Sequence, residues 1–226
     1  MFDAPSPDDC PSRLMFAVLP TRPERLVTIL EADLARGRAD ISTPIRAPDL
    51  LHMTLAVACV VSGPSEALLR ELIAVGDRVR MRSFQIEWDR AEMFGVPGQD
   101  RAFKLLAGCG VAQATALQRC LRATMTEANW PPIDTMQPPH VTLLYEQDRR
   151  VREPIAPVTW NVRAFTLVES LVGRTEYVRH KSWPLLPAFN PADGEPLRIQ
   201  QEFSFEHPQS SVIPVLDAQR FIIARG

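Results

Sequence analysis

Two short stretches of this sequence hold the residue types that do chemistry as a set. Leu51-His52-Met53-Thr54-Leu55 has an echo far along the chain in His140-Val141-Thr142-Leu143. Each is a histidine, a spacer, a threonine and a leucine inside an apolar run with strand character. Side chains of a strand alternate between faces, so His and Thr at i and i+2 share one face while Met53 and Leu55, or Val141 and Leu143, enter a core. Two such strands meeting at one cleft bring together two imidazoles and two hydroxyls. In-line attack on a phosphodiester needs one group to take a proton and another, opposite, to give one. Imidazole, with an ordinary pKa near ~6.5, serves either role. Threonine hydroxyls beside the rings can donate to the non-bridging oxygens where charge gathers. A cyclic phosphate, with its geometry fixed and strained, suits such a cleft best.

The other candidates for chemistry are weaker. His180 lies in the charged run Arg179-His180-Lys181 and is expected at the surface; His207 has no comparable setting. A metal at His52 and His140 needs a third ligand, and no Asp or Glu stands at i±2 of either. No metal and no cofactor are expected. Gly108-Cys109-Gly110 resembles the start of a dinucleotide fingerprint, but Gln113 occupies the third glycine's place. Cys10, Cys59, Cys109 and Cys120 form no C-x-x-C pair and are read as buried, reduced thiols.

Helices and strands must position the two motifs. An acidic, Pro-rich tail (1–12) precedes a buried strand at 13–19. Pro23 opens a helix with Leu26, Ile29, Leu30 and Leu34 as its apolar stripe and Gly37 as its stop. A loop with Pro44 and Pro48 enters the first His strand, about 51–61. Ser65 starts a second helix striped by Leu68, Leu69, Leu72 and Ile73, with Gly76 after it. Arg78, Arg80 and Arg82 read as a solvated strand edge, with a phosphate-facing stripe as the alternative. The run 83–92, with Phe84, Ile86 and Trp88 on one face, turns at 95–98 and pairs back through 102–107. A helix at about 111–128, striped by Leu117, Leu121 and Met125, leads to a stiff linker with Pro131, Pro132, Pro138 and Pro139 and then to the second His strand. A loop with Pro154 and Pro157, a long strand at 161–172 and its partner at 177–185 complete the pattern. Helices mixed with hairpins favour an α+β fold of antiparallel sheets. It is expected to be bilobal, with one His-x-Thr strand in each of two pseudo-symmetric lobes around a central cleft. The lobes fill 13–187, and 188–226 is an extension without a functional pattern.

Hydrophobic residues make up 46% and charged residues 23% of the 226, with a formal net charge of −2. That is an ordinary composition for a globular chain with a sizeable core. A near-neutral molecule exerts no broad pull on nucleic acid, so any RNA contact must be local. No apolar run reaches membrane-spanning length and the acidic start is no signal peptide. A monomer in a reducing cytoplasm, with no membrane or protein partner, is the expectation.

The sequence also resembles a known family, the two-histidine phosphoesterases, in their 2′-5′ RNA ligase-like, RNA 2′,3′-cyclic phosphodiesterase branch. The resemblance spans about residues 13–186. It rests on the paired His-x-Thr-Leu motifs, on Arg13-Leu14-Met15-Phe16-Ala17, on Phe165, Leu167, Val168 and Ser170, and on Gly173, Tyr177 and Trp183-Pro184-Leu185. It implies a bilobal fold with pseudo-two-fold symmetry and metal-free hydrolysis of a 2′,3′-cyclic phosphate, on an RNA 3′ end or a nucleotide, to a 2′-phosphate; the reverse joining of 2′-5′ ends is chemically allowed. His52 and His140 would be the acid/base pair, Thr54 and Thr142 the phosphate donors, and Phe16 a cleft-lining side chain. Tyr145 stands where relatives often carry a basic residue, and on a regular strand it would point away from His140. Two other readings of the cleft stay open: a non-catalytic binder of RNA ends or nucleotides, and a phosphodiesterase for a small cyclic or ADP-ribose-type substrate.

Overall fold

The computed structural model of the chain describes residues 11–94, 101–146, 150–171 and 174–188. The expected turn at 95–98, His207, Cys10 and the 188–226 extension beyond Ala188 lie outside the described residues. The elements run β1 (Pro11–Val18), α1 (Arg22–Arg38), β2 (Met53–Ser62), α2 (Glu66–Arg78), β3 (Phe84–Phe94), β4 (Arg101–Cys109), α3 (Val111–Glu127), β5 (His140–Glu146), β6 (Val151–Val162), β7 (Ala164–Leu171) and β8 (Glu176–Pro184). One eight-stranded sheet takes them in the order β6-β3-β4-β5-β2-β1-β7-β8, each neighbouring pair antiparallel.

This is the expected α+β architecture, and its symmetry is legible in the order. The two His strands, β2 and β5, lie side by side at the centre, and a four-stranded half extends from each. The halves are not consecutive stretches of chain. The hairpin β7–β8 returns to pair with β1, so the half holding His52 is built from both ends of the described chain.

All three helices pack on one face. Leu72 and Val75 of α2, Ala32 and Ala35 of α1, and Leu117, Leu121 and Met125 of α3 share a core with Phe16, Trp88, Phe103, Trp160 and Phe165 of the sheet. A smaller cluster of Met15, Ala17 and Val168 sits on the other face. Helix α2 runs through Gly76 and does not stop there. A Cβ at that position would come within 2.4 Å of the Trp183 ring, so glycine is what lets the helix lie against β8. Trp183 stacks on Phe165 with centroids 5.0 Å apart, and its indole N–H donates to Asp77 at 2.6 Å.

Four expectations need correcting. Residues 151–162 are strand β6, with Pro154 and Pro157 inside it. An edge strand tolerates proline because one row of its N–H groups has no partner, and β6 is an edge. Helix α1 is turned over: Leu26, Leu30 and Leu34 are exposed, and of the expected stripe only Ile29 meets the core. Its inner face uses small residues and polar anchors instead. Thr28 accepts the Trp160 indole N–H at 2.9 Å, and Glu24 accepts the Asn161 backbone N–H at 2.7 Å. Arg78 ends α2, paired with Glu127, and the segment after it forms no strand beyond a single bridge from Arg82 to Leu186. Of the thiols, Cys109 is exposed while Cys59 and Cys120 are half-buried.

Candidate active site

The glycine preceding α3 belongs to packing and not to a phosphate loop. Gly110 has φ +79°, and a Cβ there would meet the Gln85 carbonyl oxygen at 2.1 Å. The chemistry gathers elsewhere, at the β2–β5 seam.

Both His-x-Thr-Leu motifs fold in the same way. In β2, Thr54 pairs with Ala17 and Ala56 with Phe16, so Leu55 is an extra, bulged residue. In β5, Thr142 pairs with Lys104 and Leu144 with Phe103, so Leu143 is bulged in turn. Both leucines are buried in the core. A bulge shifts the side-chain alternation by one residue. The residue three past each threonine, Val57 or Tyr145, therefore returns to the face of the histidines. Tyr145 stands opposite Ala102, two residues from Lys104. The expectation that Tyr145 points away fails for this reason; its ring is 53% exposed.

The imidazoles are locked alike. His52 Nδ1–H donates to the carbonyl of Leu50 at 2.8 Å, and His140 Nδ1–H donates to that of Pro138 at 2.8 Å. A carbonyl only accepts, so each neutral ring carries its proton on Nδ1 and keeps a lone pair on Nε2. Both donors reach the carbonyl two residues back, where a one-turn helix (Pro48–Leu50) or the proline linker presents it. The linker is itself pinned to β2. Ile133 N–H donates to the Val57 carbonyl at 3.0 Å, and Asp134 accepts the Val57 N–H at 2.9 Å. Gln118 of α3 donates to the carbonyls of Thr54 and Gln137 at 3.1 and 3.3 Å, joining the first motif to the approach of the second.

Tyr177 of β8 stands edge-on to His52, centroids 5.4 Å apart at 79°, with its hydroxyl oxygen 3.2 Å from Nδ1. It packs on the cluster of Met15, Ala17 and Val168, which fixes that face as the one the histidines occupy. Phe16 is thereby corrected. It is fully buried on the helix side, its ring 5.8 Å from Trp183 and 6.3 Å from Phe165, because it alternates with Met15 and Ala17.

Positive charge surrounds the pair. Burial, then the charges of Arg46, His140 and Arg13, pull His52 down to about 4, against the opposing bond to Leu50. Burial and the Lys104 charge lower His140 as well, with the Pro138 bond opposing. Met53 pairs with Val141, so the adjoining residues 52 and 140 sit at one seam of the sheet. Burial lowers Lys104 in turn. Thr54 and Thr142 are half-buried beside the histidines. His180 is not a free surface group: it meets the buried Glu169 at 2.9 Å, and Ser12 donates to the same carboxylate at 2.5 Å. Neither histidine of the motifs lines the cavity of about 330 Å³ between α1 and the loop at 42–48.

The fold has solved counterparts. Ligand-free E. coli LigT superposes with a TM-score of 0.61 at 25% identity, covering 78% of this chain and 99% of its own. LigT complexed with ATP gives 0.62 at 24% identity over the same shares. TT0787 of Thermus thermophilus gives 0.62 at 24% identity, covering 78% of this chain and 100% of its own. The chain has the LigT fold. No protein-family model and no curated protein matches it. A further solved structure, of a phosphoesterase, gives 0.61 at 25% identity, covering 78% of this chain and 99% of its own.

Several site residues lay beyond the sequence reading. Arg46, Lys104, Gln118 and the contact of Tyr177 with His52 emerge only from the fold. Two had a signal: Lys104 interrupts an apolar strand, and Gln118 interrupts the buried stripe of α3.

Proposed function

We propose that this protein is a phosphodiesterase that opens a 2′,3′-cyclic phosphate to a 2′-phosphate with two histidines as general base and general acid. The observation that carries the reading is the matched pair of imidazoles, each with Nδ1–H tied to a carbonyl two residues back and Nε2 left free. His52, pulled to about 4, is neutral near pH 7 and suits the base. It takes a proton from water as the water oxygen attacks phosphorus. The P–O3′ bond breaks on the opposite side, and His140 delivers a proton to the departing 3′ oxygen. Thr54 and Thr142 donate to the non-bridging oxygens, whose negative charge grows in the transition state. Proton transfer from water to one imidazole and from the other to the 3′ oxygen needs no metal.

The surrounding cations favour an anionic substrate, and LigT has been crystallised with ATP, NADP+, 3′-AMP and phosphate, all phosphate or phosphate-bearing ligands. Product analysis tests the reading. A nucleoside 2′,3′-cyclic phosphate and an oligonucleotide ending in one are incubated with the protein in EDTA. The expected product is the 2′-phosphate; a 3′-phosphate, or turnover only with added metal, contradicts the mechanism. Tight binding without any product turns the protein into a binder of such ends.

A further inference from the structure

Arg46 differs from several arginines of the described residues. Arg25, Arg36, Arg38, Arg78, Arg90 and Arg122 each hold a carboxylate. Arg46 pairs with none among the described residues, although it is half-buried. Its place is fixed by its backbone, whose N–H donates to the Leu143 carbonyl at 2.8 Å, in the bulge of the second motif. Its guanidinium carbon lies 5.9 Å from the centroid of the Tyr145 ring. That ring is on the histidine face because of the same bulge. The Arg46 charge acts on both His52 and Tyr177, which lie in the other half of the sheet. A guanidinium laid on an aromatic ring has its direction fixed while its edge N–H groups remain available. Five donors on a braced cation beside the proton-transfer pair are a receptor for an anion.

We infer that Arg46, braced on Tyr145, grips the non-bridging oxygens of the substrate phosphate and makes the site selective for charged phosphate. This rests on the phosphoesterase reading of the cleft. A consequence follows from charge alone. The cyclic phosphate is a monoanion and the ring-opened product approaches a dianion, so the same contact holds product more tightly and makes it an inhibitor. Arg13, the other arginine felt by His52, is exposed on β1 and lies over no ring among the described residues.

The test compares wild type with Arg46→Gln, Arg46→Lys and Tyr145→Leu on a nucleoside 2′,3′-cyclic phosphate, with the 2′-phosphate and inorganic phosphate as inhibitors. Arg46→Gln should raise KM and both inhibition constants on the order of tenfold to a hundredfold, as loss of a charged hydrogen bond does. It should also move the acid limb of kcat/KM to higher pH. His52 is faced by Arg46 from the loop, Arg13 from β1, Tyr177 from β8 and His140 from β5, and one of these cations is gone. Arg46→Lys keeps the acid limb but still raises KM, since an ammonium neither forks nor stacks. Tyr145→Leu falls between. Unchanged KM, inhibition constants and acid limb in Arg46→Gln, with turnover abolished in His52→Ala and His140→Ala, overturns the role of Arg46 alone. Turnover that survives both histidine substitutions overturns the phosphoesterase reading instead. If the Gln variant does not fold, Arg46→Lys decides through KM.

Discussion

Met53 lies directly opposite Val141, and that pairing joins β2 to β5. Carried one residue either way in antiparallel register, it sets His52 across from Thr142 and Thr54 across from His140. The two histidines are then diagonal neighbours, and each has the other motif's threonine as its direct partner. The catalytic expectations below depend on this seam.

The pH dependence of turnover should be displaced toward acid. The base must be neutral, so kcat/KM falls as pH drops through the His52 value of about 4. The acid must be protonated, so kcat/KM also falls as pH rises past His140, which burial holds below the ordinary ~6.5. Rates from pH 3.5 to 8 should trace a bell with both limbs below ~6.5. A bound anion stabilises both imidazolium forms, so the kcat profile should sit at higher pH than the kcat/KM profile. A kcat/KM plateau reaching pH 8 contradicts the lowered acid.

Stability should respond to the same group. The folded-state pKa of His52 lies below its unfolded value, so its stabilising share is complete above ~6.5 and is lost as pH falls toward 4. At about 1.36 kcal/mol per pKa unit, the loss reaches roughly 3 kcal/mol at most. Urea midpoints at pH 7 and pH 4.5 should differ less in His52→Asn than in wild type. An equal difference in both proteins locates the acid sensitivity in another group.

Phe16 should matter to folding and not to catalysis. It fills the core against Phe165 and Trp183, so Phe16→Ala should cost about 3–5 kcal/mol of stability. The folded fraction should keep wild-type kcat and KM below its melting temperature. A changed KM without lost stability returns Phe16 to the cleft.

Gln118 should act through position alone. It touches neither ring, yet it ties the Thr54 carbonyl to the segment that delivers His140. Gln118→Ala should lower kcat by about tenfold to a hundredfold, since small misplacements of reacting groups cost that much, with KM little changed. The pH limbs should stay where they are. A proportional loss in thermal stability with kcat intact confines Gln118 to packing.

The elements that carried strong local patterns were legible in the sequence. The alternation in both His strands, the stripe of α3 and the final hairpin follow from side-chain period and turn residues, and they suffice for the α+β class. The errors arise where a neighbour decides. Leucines at 26, 30 and 34 look like a core stripe, but the Trp160 indole and the carboxylate of Glu24 turn the other side of α1 inward. Pro154 and Pro157 suggest a loop until β6 proves to be an edge. Strand alternation alone turns Tyr145 away from His140, because the bulge at Leu143 is a property of pairing with β4. Arg46 and Lys104 flank the histidines only because β4 and the 44–48 loop close around β5.

The central claim is that His52 and His140 act together on one phosphate. The most direct test is single-turnover hydrolysis of a nucleoside 2′,3′-cyclic phosphate in EDTA by wild type, His52→Ala, His140→Ala and the double variant, with folding checked by circular dichroism. Each single variant should lose on the order of a thousandfold or more, and the double variant should lose little beyond either one, as groups that act as a unit do. Single variants that retain turnover, or losses that multiply in the double variant as for independent residues, contradict it.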